Sequence, residues 1–183
     1  MRLSIKAILV GVLLALCMAI AGQGVLAVTR LQAINANAID VAGNWLPSVR
    51  WLGDIKYRVT RLRLVDARYV TGLEPAPELD KTSAGRLQDL ANGMAQYEPL
   101  IASPEEKALW DGFKEKWAAY MAVRAKLASP AAAGDKLGAA QAFDASRPIF
   151  NAALDLIEQD TALNLRGSDK AVADAAKTYR SSL

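Results

Sequence analysis

Between Asn44 and Val70 the chain reads NWLPSVRWLGDIKYRVTRLRLVDARYV and carries Arg50, Arg58, Arg61, Arg63 and Arg68. A guanidinium is always charged and offers a planar fork of donors that matches a carboxylate. Several of them on one helix imply recognition of a small anion. On a helix wheel, at about 100° per residue, Leu52, Ile55, Val59, Leu62 and Val70 share one face. Arg50, Arg61 and Arg68 fall opposite that face, as a solvated basic surface with some pairing to Asp54 and Asp66 would. Arg58 and Arg63 fall at its edges, where a second subunit or a ligand between subunits would make contact. Gln159 and Thr161, later in the chain, offer an amide and a hydroxyl for the far end of such a ligand.

Other chemistry is largely closed off. The chain has no histidine and one cysteine, Cys17, inside an apolar run. That excludes an intrachain disulfide, ordinary Cys/His zinc sites, and Ser-His or Cys-His catalysis. Neither a cofactor nor a metal is expected, and no nucleophile motif points to an enzyme. A net charge of +3 is too small to imply nucleic acid as a partner, and no basic stretch is interleaved with aromatics.

The elements that must position these arginines are helical. Hydrophobic residues make up 52% of the chain, and prolines number only 7 in 183 residues. Abundant alanine and short β-branched runs favour helix. Arg2 and Lys6 precede an apolar run from Ile5 to Val28, long enough for one membrane span, with the positive flank inside and the rest outside. Residues 1–4 are read as a cytoplasmic N-terminus, 5–28 as a transmembrane helix, and 29–183 as a periplasmic sensor domain. A cleaved signal peptide, with Ala19-Ile20-Ala21 as its site, is the competing reading.

From Thr29 to Leu73 apolar residues recur at three- and four-residue steps, from Leu31, Ile34, Ala38, Val41 and Trp45 through to Tyr69 and Val70, which predicts one long helix. Pro47 should bend or bulge it. Glu74-Pro75-Ala76-Pro77-Glu78 ends it, and a second helix is expected from about Asp80 to Ile101. Ser103-Pro104-Glu105-Glu106 is a capping box opening a third helix, closed at Ser129-Pro130. A fourth runs from Asp135 onward, perturbed locally at Pro148. Trp45, Trp51, Trp110 and Trp117 sit at helical spacing and read as packing. Long, short, short, long predicts an all-α fold: an N-terminal transmembrane helix continuing into an antiparallel up-down-up-down four-helix bundle. The last helix has no stop signal before Leu183, so a continuation is expected.

These residues resemble the N-terminal part of bacterial methyl-accepting chemotaxis proteins with a four-helix-bundle ligand-binding domain. The resemblance rests on Arg2/Lys6 before the span, Asn44-Trp45-Leu46-Pro47-Ser48-Val49, Leu52-Gly53-Asp54-Ile55, and Arg63 followed by Asp66 and Tyr69. Ser146-Arg147-Pro148-Ile149-Phe150 and Leu154-Asp155-Leu156-Ile157 fit its last helix. It implies a homodimer whose ligand pocket lies between subunits, built from first and last helices. Arg63 matches the arginine that holds a carboxylate, with Arg58 and Arg61 as accessories and Thr161 facing the pocket. The spacing that grips an amino acid's carboxylate and amine is not reproduced, which turns the expected ligand from an amino acid towards an organic acid. Cytoplasmic signalling partners would act through a region after Leu183. The same bundle could feed a histidine kinase or cyclic-dinucleotide enzyme, or stand alone as a tethered binding protein.

Overall fold

The computed structural model describes residues 5–127 and 134–181. Arg2 with the expected cytoplasmic N-terminus, and the Ser129-Pro130 close of the third helix, lie outside them. Among the described residues there are helices and turns and no strand: α1 (Ile5–Asp40), α2 (Leu46–Thr71), α3 (Ala76–Tyr97), α4 (Pro104–Leu127), α5 (Lys136–Ala145) and α6 (Arg147–Arg180). A π turn at Val41–Trp45 leads into α2, and a 3-10 turn at Glu98–Leu100 follows α3. The chain forms two compact units: Gly43–Gly167, and the segments before and after it.

The second of these holds α1, which is long and apolar enough to cross a membrane. Its large side chains are exposed all round, Leu9, Met18 and Ile20 each by about two thirds (68%, 70% and 68%). A helix apolar on every side and unburied along its most apolar stretch suits hydrocarbon. The regular apolar spacing predicted a buried stripe from Leu31 onward. Leu31 is instead exposed, and burial among the described residues begins only with Ser48 and Leu52. Within the same unit the Arg30 guanidinium donates to the Ser181 carbonyl.

In the unit Gly43–Gly167, Pro47 has the expected effect. Its ring displaces the carbonyl four residues back, at Gly43, and the π turn at Val41–Trp45 absorbs the misfit. The α2 stripe then buries Leu52, Ile55, Val59, Leu62 and Val65. Gly72 ends α2 in the left-handed region, at φ 62°, and its N–H returns to the Arg68 carbonyl. The next helix starts earlier than the expected Asp80. Pro75 precedes the first turn of α3 and Pro77 lies within it, since a proline N–H is not needed there. Ser103 caps α4 as expected, accepting from the Glu106 N–H at 3.1 Å. The Glu106 carboxylate reaches back one residue further than a capping box requires, to the Ala102 N–H at 2.8 Å.

The expected single fourth helix is two. Asp135 caps α5 by accepting from the Gly138 N–H, and Ser146 separates α5 from α6. Pro148 lacks the N–H that would reach the carbonyl of Asp144, so the break falls just before it.

The bundle alternates in direction. Trp45 lies so near Gly167 that a Cβ there would come within 2.5 Å of the indole, and Lys56 pairs with Glu158. These two contacts set α2 and α6 antiparallel. Asn44 Nδ2 donates to the Leu100 carbonyl, so the α3–α4 connection lies at the end where this unit begins and finishes. The core holds Leu52, Ile55, Val59, Leu62, Leu90, Ala153 and Ile157 around an aromatic row. Tyr97, Trp110, Phe113, Trp117, Tyr120 and Phe150 follow one another with ring centres 4.8–6.4 Å apart. Trp110 and Trp117 are therefore packing residues, while Trp51 lies against the core half-buried.

Candidate functional site

The arginines of α2 divide by what holds them. Arg63 is half-buried and its guanidinium is engaged within the protomer by three hydrogen bonds. Nη1 donates to Ser146 Oγ (2.5 Å) and Tyr120 Oη (3.3 Å), and Nη2 to the Phe143 carbonyl (2.9 Å). The cation lies 3.7 Å from the centre of the Phe143 ring, with Tyr120 and Phe150 at 5.4 and 5.2 Å. It ties α2 to the α5–α6 break, where the Phe143 carbonyl accepts from both Arg63 and the Ser146 hydroxyl. Arg58 bridges two carboxylates, Asp54 on its own helix (2.5 Å) and Asp89 on α3 (3.0 Å).

Arg61 differs from its expected solvent-side position. It is half-buried, its Nε is enclosed without a hydrogen-bond partner, and its guanidinium lies 5.9 Å from the centre of the Tyr57 ring. Arg68 pairs with Glu74, and exposed Arg50 lies over Trp51.

On α6, Gln159 is exposed and Thr161 half-buried, its hydroxyl donating to the Ile157 carbonyl. The register set by Trp45–Gly167 and Lys56–Glu158 places Thr161 beside the Leu52 level of α2. Arg61 lies nine residues on, about 13 Å along the helix axis. One protomer thus brings Arg58, Arg61 and Arg63 onto neighbouring turns but does not bring Thr161 and Gln159 to them.

Two buried polar clusters escaped the sequence reading. Asp66, fully buried, accepts from Tyr120 Oη (2.5 Å) and from Arg124 Nε (2.7 Å), and Arg124 also donates to Ser83 Oγ. Burial raises the Asp66 pKa, against the pull of Tyr120 and Arg124. Asp66 therefore belongs to the interior rather than to the basic face of α2.

At the opposite end of the unit, Tyr97 Oη lies 2.9 Å from Glu106 Oε1 and 2.7 Å from Asp160 Oδ2. Asn164 Nδ2 donates to Glu106 Oε1 and Asp160 Oδ1, both at 3.1 Å. All four residues are at most 1% exposed. Desolvation, reinforced by Glu106, pushes the Asp160 carboxyl up to about 6. A signal existed: Asp160 and Asn164 continue the core spacing of Ala153 and Ile157, so polar residues stand at interior positions. Among the described residues no group of three or more potential metal ligands is present.

No curated protein matches the chain. The sequence model of one family, a four-helix-bundle sensory module for signal transduction, matches residues 2–179. Its bundle, its preceding apolar helix and its nearly complete coverage agree with the fold described above. The chain belongs to the four-helix-bundle sensory modules of methyl-accepting chemotaxis proteins, a sensory rather than a catalytic family.

Proposed function

We propose that this chain is the extracytoplasmic input domain of a chemoreceptor, anchored in the cytoplasmic membrane by residues 5–28, with residues 29–183 in the periplasm. It acts as a homodimer and binds a small carboxylate at the basic surface of α2. The observation that carries this reading is the outward face of α2. Leu46, Arg50, Gly53, Tyr57, Thr60 and Leu64 recur at alternating steps of four and three and are all exposed, Leu46, Tyr57 and Leu64 by 55%, 59% and 54%. That spacing is the seam of a paired coiled coil, and a second copy of α2 covers it.

Arg61 borders this seam with hydrogen-bonding capacity to spare, which makes it the first contact for the ligand's carboxylate. Arg58 is an accessory, because a ligand must compete with Asp54 and Asp89 for it. Arg63 shapes the site from behind, and Thr161 and Gln159 can contribute only from further along the bundle. Binding signals by favouring one of two positions of α6, which requires unequal affinity for the two arrangements.

The test has two arms, both on the full chain in detergent. With Cys17→Ser as background, Leu64→Cys should give a disulfide-linked dimer under mild oxidation and Asp155→Cys should not. Equal cross-linking by both would remove the dimer seam. A thermal-shift screen of dicarboxylic and amino acids should yield a stabilising ligand whose shift disappears in Arg61→Ala. A shift retained in that variant would place the site elsewhere.

A further inference from the structure

The two buried carboxyl groups of Glu106 and Asp160 have fewer hydrogens than their contacts demand. Glu106 Oε2 accepts from the Ala102 N–H, and Asn164 serves Glu106 Oε1 and Asp160 Oδ1. Asp160 Oδ2 has only Tyr97 Oη, which also lies within hydrogen-bond distance of Glu106 Oε1. One phenolic hydrogen cannot serve both oxygens. With a proton on Asp160 Oδ2 the chain of donors is complete: Asp160 donates to Tyr97, and Tyr97 donates to Glu106. When that proton leaves to solvent, two acceptors face each other in a buried site.

Among the described residues no cation is one of the groups acting on Asp160. The helices packed around the pair contribute Tyr97 from α3, Glu106 from α4 and Asn164 from α6. From α2 the antiparallel register brings Ser48 opposite Asn164. Ser48 is fully buried, and both its Oγ and Asn164 Oδ1 lack a hydrogen-bond partner. Glu98, one residue beyond Tyr97, is taken by Trp110 and Lys114. The charge acting on Asp160 is that of Glu106.

We propose that Glu106 and Asp160 form a proton-binding site that makes the packing of α6 against the α3–α4 hairpin depend on acidity, giving this sensory module a response to pH separate from any small-molecule ligand. The chain has no histidine to serve that purpose. Asp160 is suited to it, since desolvation carries its carboxyl to about 6. Both carboxyls lie at helix contacts, and Asp160 and Asn164 belong to the helix that runs on to Arg180. Below the transition α6 is tied through Asp160 to Tyr97; above it the tie is replaced by repulsion between two uncompensated charges.

The experiment uses the full chain in detergent micelles between pH 4.5 and 8. Infrared difference spectra should show a buried protonated carboxyl that disappears with a midpoint near pH 6. The band should be missing in Asp160→Asn and retained in Asp155→Asn, an exposed acid on the same helix. Unfolding temperature should fall across the same interval in the parent and stay flat in Asp160→Asn. Glu106→Gln, which removes the neighbouring charge, should move the midpoint to lower pH. Absence of the band at pH 5 in the parent, or an unchanged transition in Asp160→Asn, would overturn the proposal, and the parent spectrum decides even if a variant fails to fold.

Discussion

Replacing Arg63 by alanine separates two roles that one side chain cannot easily hold together. Its guanidinium makes three hydrogen bonds inside the protomer and packs on Phe143, so the ligand-free bundle should already depend on it. The loss is bounded by what remains: Ser146 Oγ still donates to the Phe143 carbonyl, and Tyr120 still donates to Asp66. No buried group is stranded. The cost is therefore the charged hydrogen bonds and the cation–π contact of a half-buried site, about 2–3 kcal/mol. For a chain of this size that is roughly 4–12 °C in unfolding temperature. Thermal unfolding of the full chain in detergent, followed by far-UV circular dichroism with no ligand added, measures it. Arg63→Lys should recover less than half, because an ammonium cannot span Ser146 and the Phe143 carbonyl together. If Arg63→Ala melts within a degree of the parent, the clasp is not formed and the guanidinium is free for a ligand. The same result bears on ligand tests, since loss of binding in Arg63→Ala would reflect the altered bundle as much as a lost contact.

Gly167→Ala should destabilise the unit by about 1–3 kcal/mol, because a methyl there collides with the Trp45 ring, and Trp45→Ala in the same background should relieve part of the loss in denaturant titrations. Tyr120→Phe removes the hydroxyl that donates to buried Asp66 and should cost about 1–3 kcal/mol by the same measurement. The pH dependence has a definite sign. Asp160 holds its proton more tightly folded, at about 6 against 3.8, so stability is greatest below the lower value, declines as pH rises between them, and has lost about 3 kcal/mol above 6. A parent whose stability rises through that interval, once the exposed acids are accounted for by the Asp160→Asn profile, would contradict the assignment.

The long apolar run, the three- and four-residue spacing and the capping residues are local properties, and they carried the helical class, the long apolar N-terminal helix and most element boundaries. Pro47 and Ser103 behaved as their local chemistry dictates. Pro148 did more than perturb a helix, because at the break the Phe143 carbonyl found partners in Arg63 across the bundle and in Ser146 three residues on. The helix wheel placed Arg58 and Arg63 correctly at the edges of the buried stripe. It could not tell that one bridges carboxylates while the other is wrapped in aromatic rings. It also put Arg61 in solvent, although its Nε is enclosed.

Family membership and the four-helix architecture thus follow from patterns repeated over many residues, each reporting on its own few neighbours. What the arginines and buried acids can do was decided by contacts between residues far apart in the chain, such as Asp66 with Arg124 and Tyr97 with Asp160. A side chain's free hydrogen bonds and its charge state depend on who meets it there. The basic stretch of α2 alone suggests a handful of equivalent anion-binding arginines. Packing gives Arg63 and Arg68 partners within the protomer, leaves Arg61 beside an exposed helix face, and brings Tyr97, Glu106 and Asp160 together in the interior.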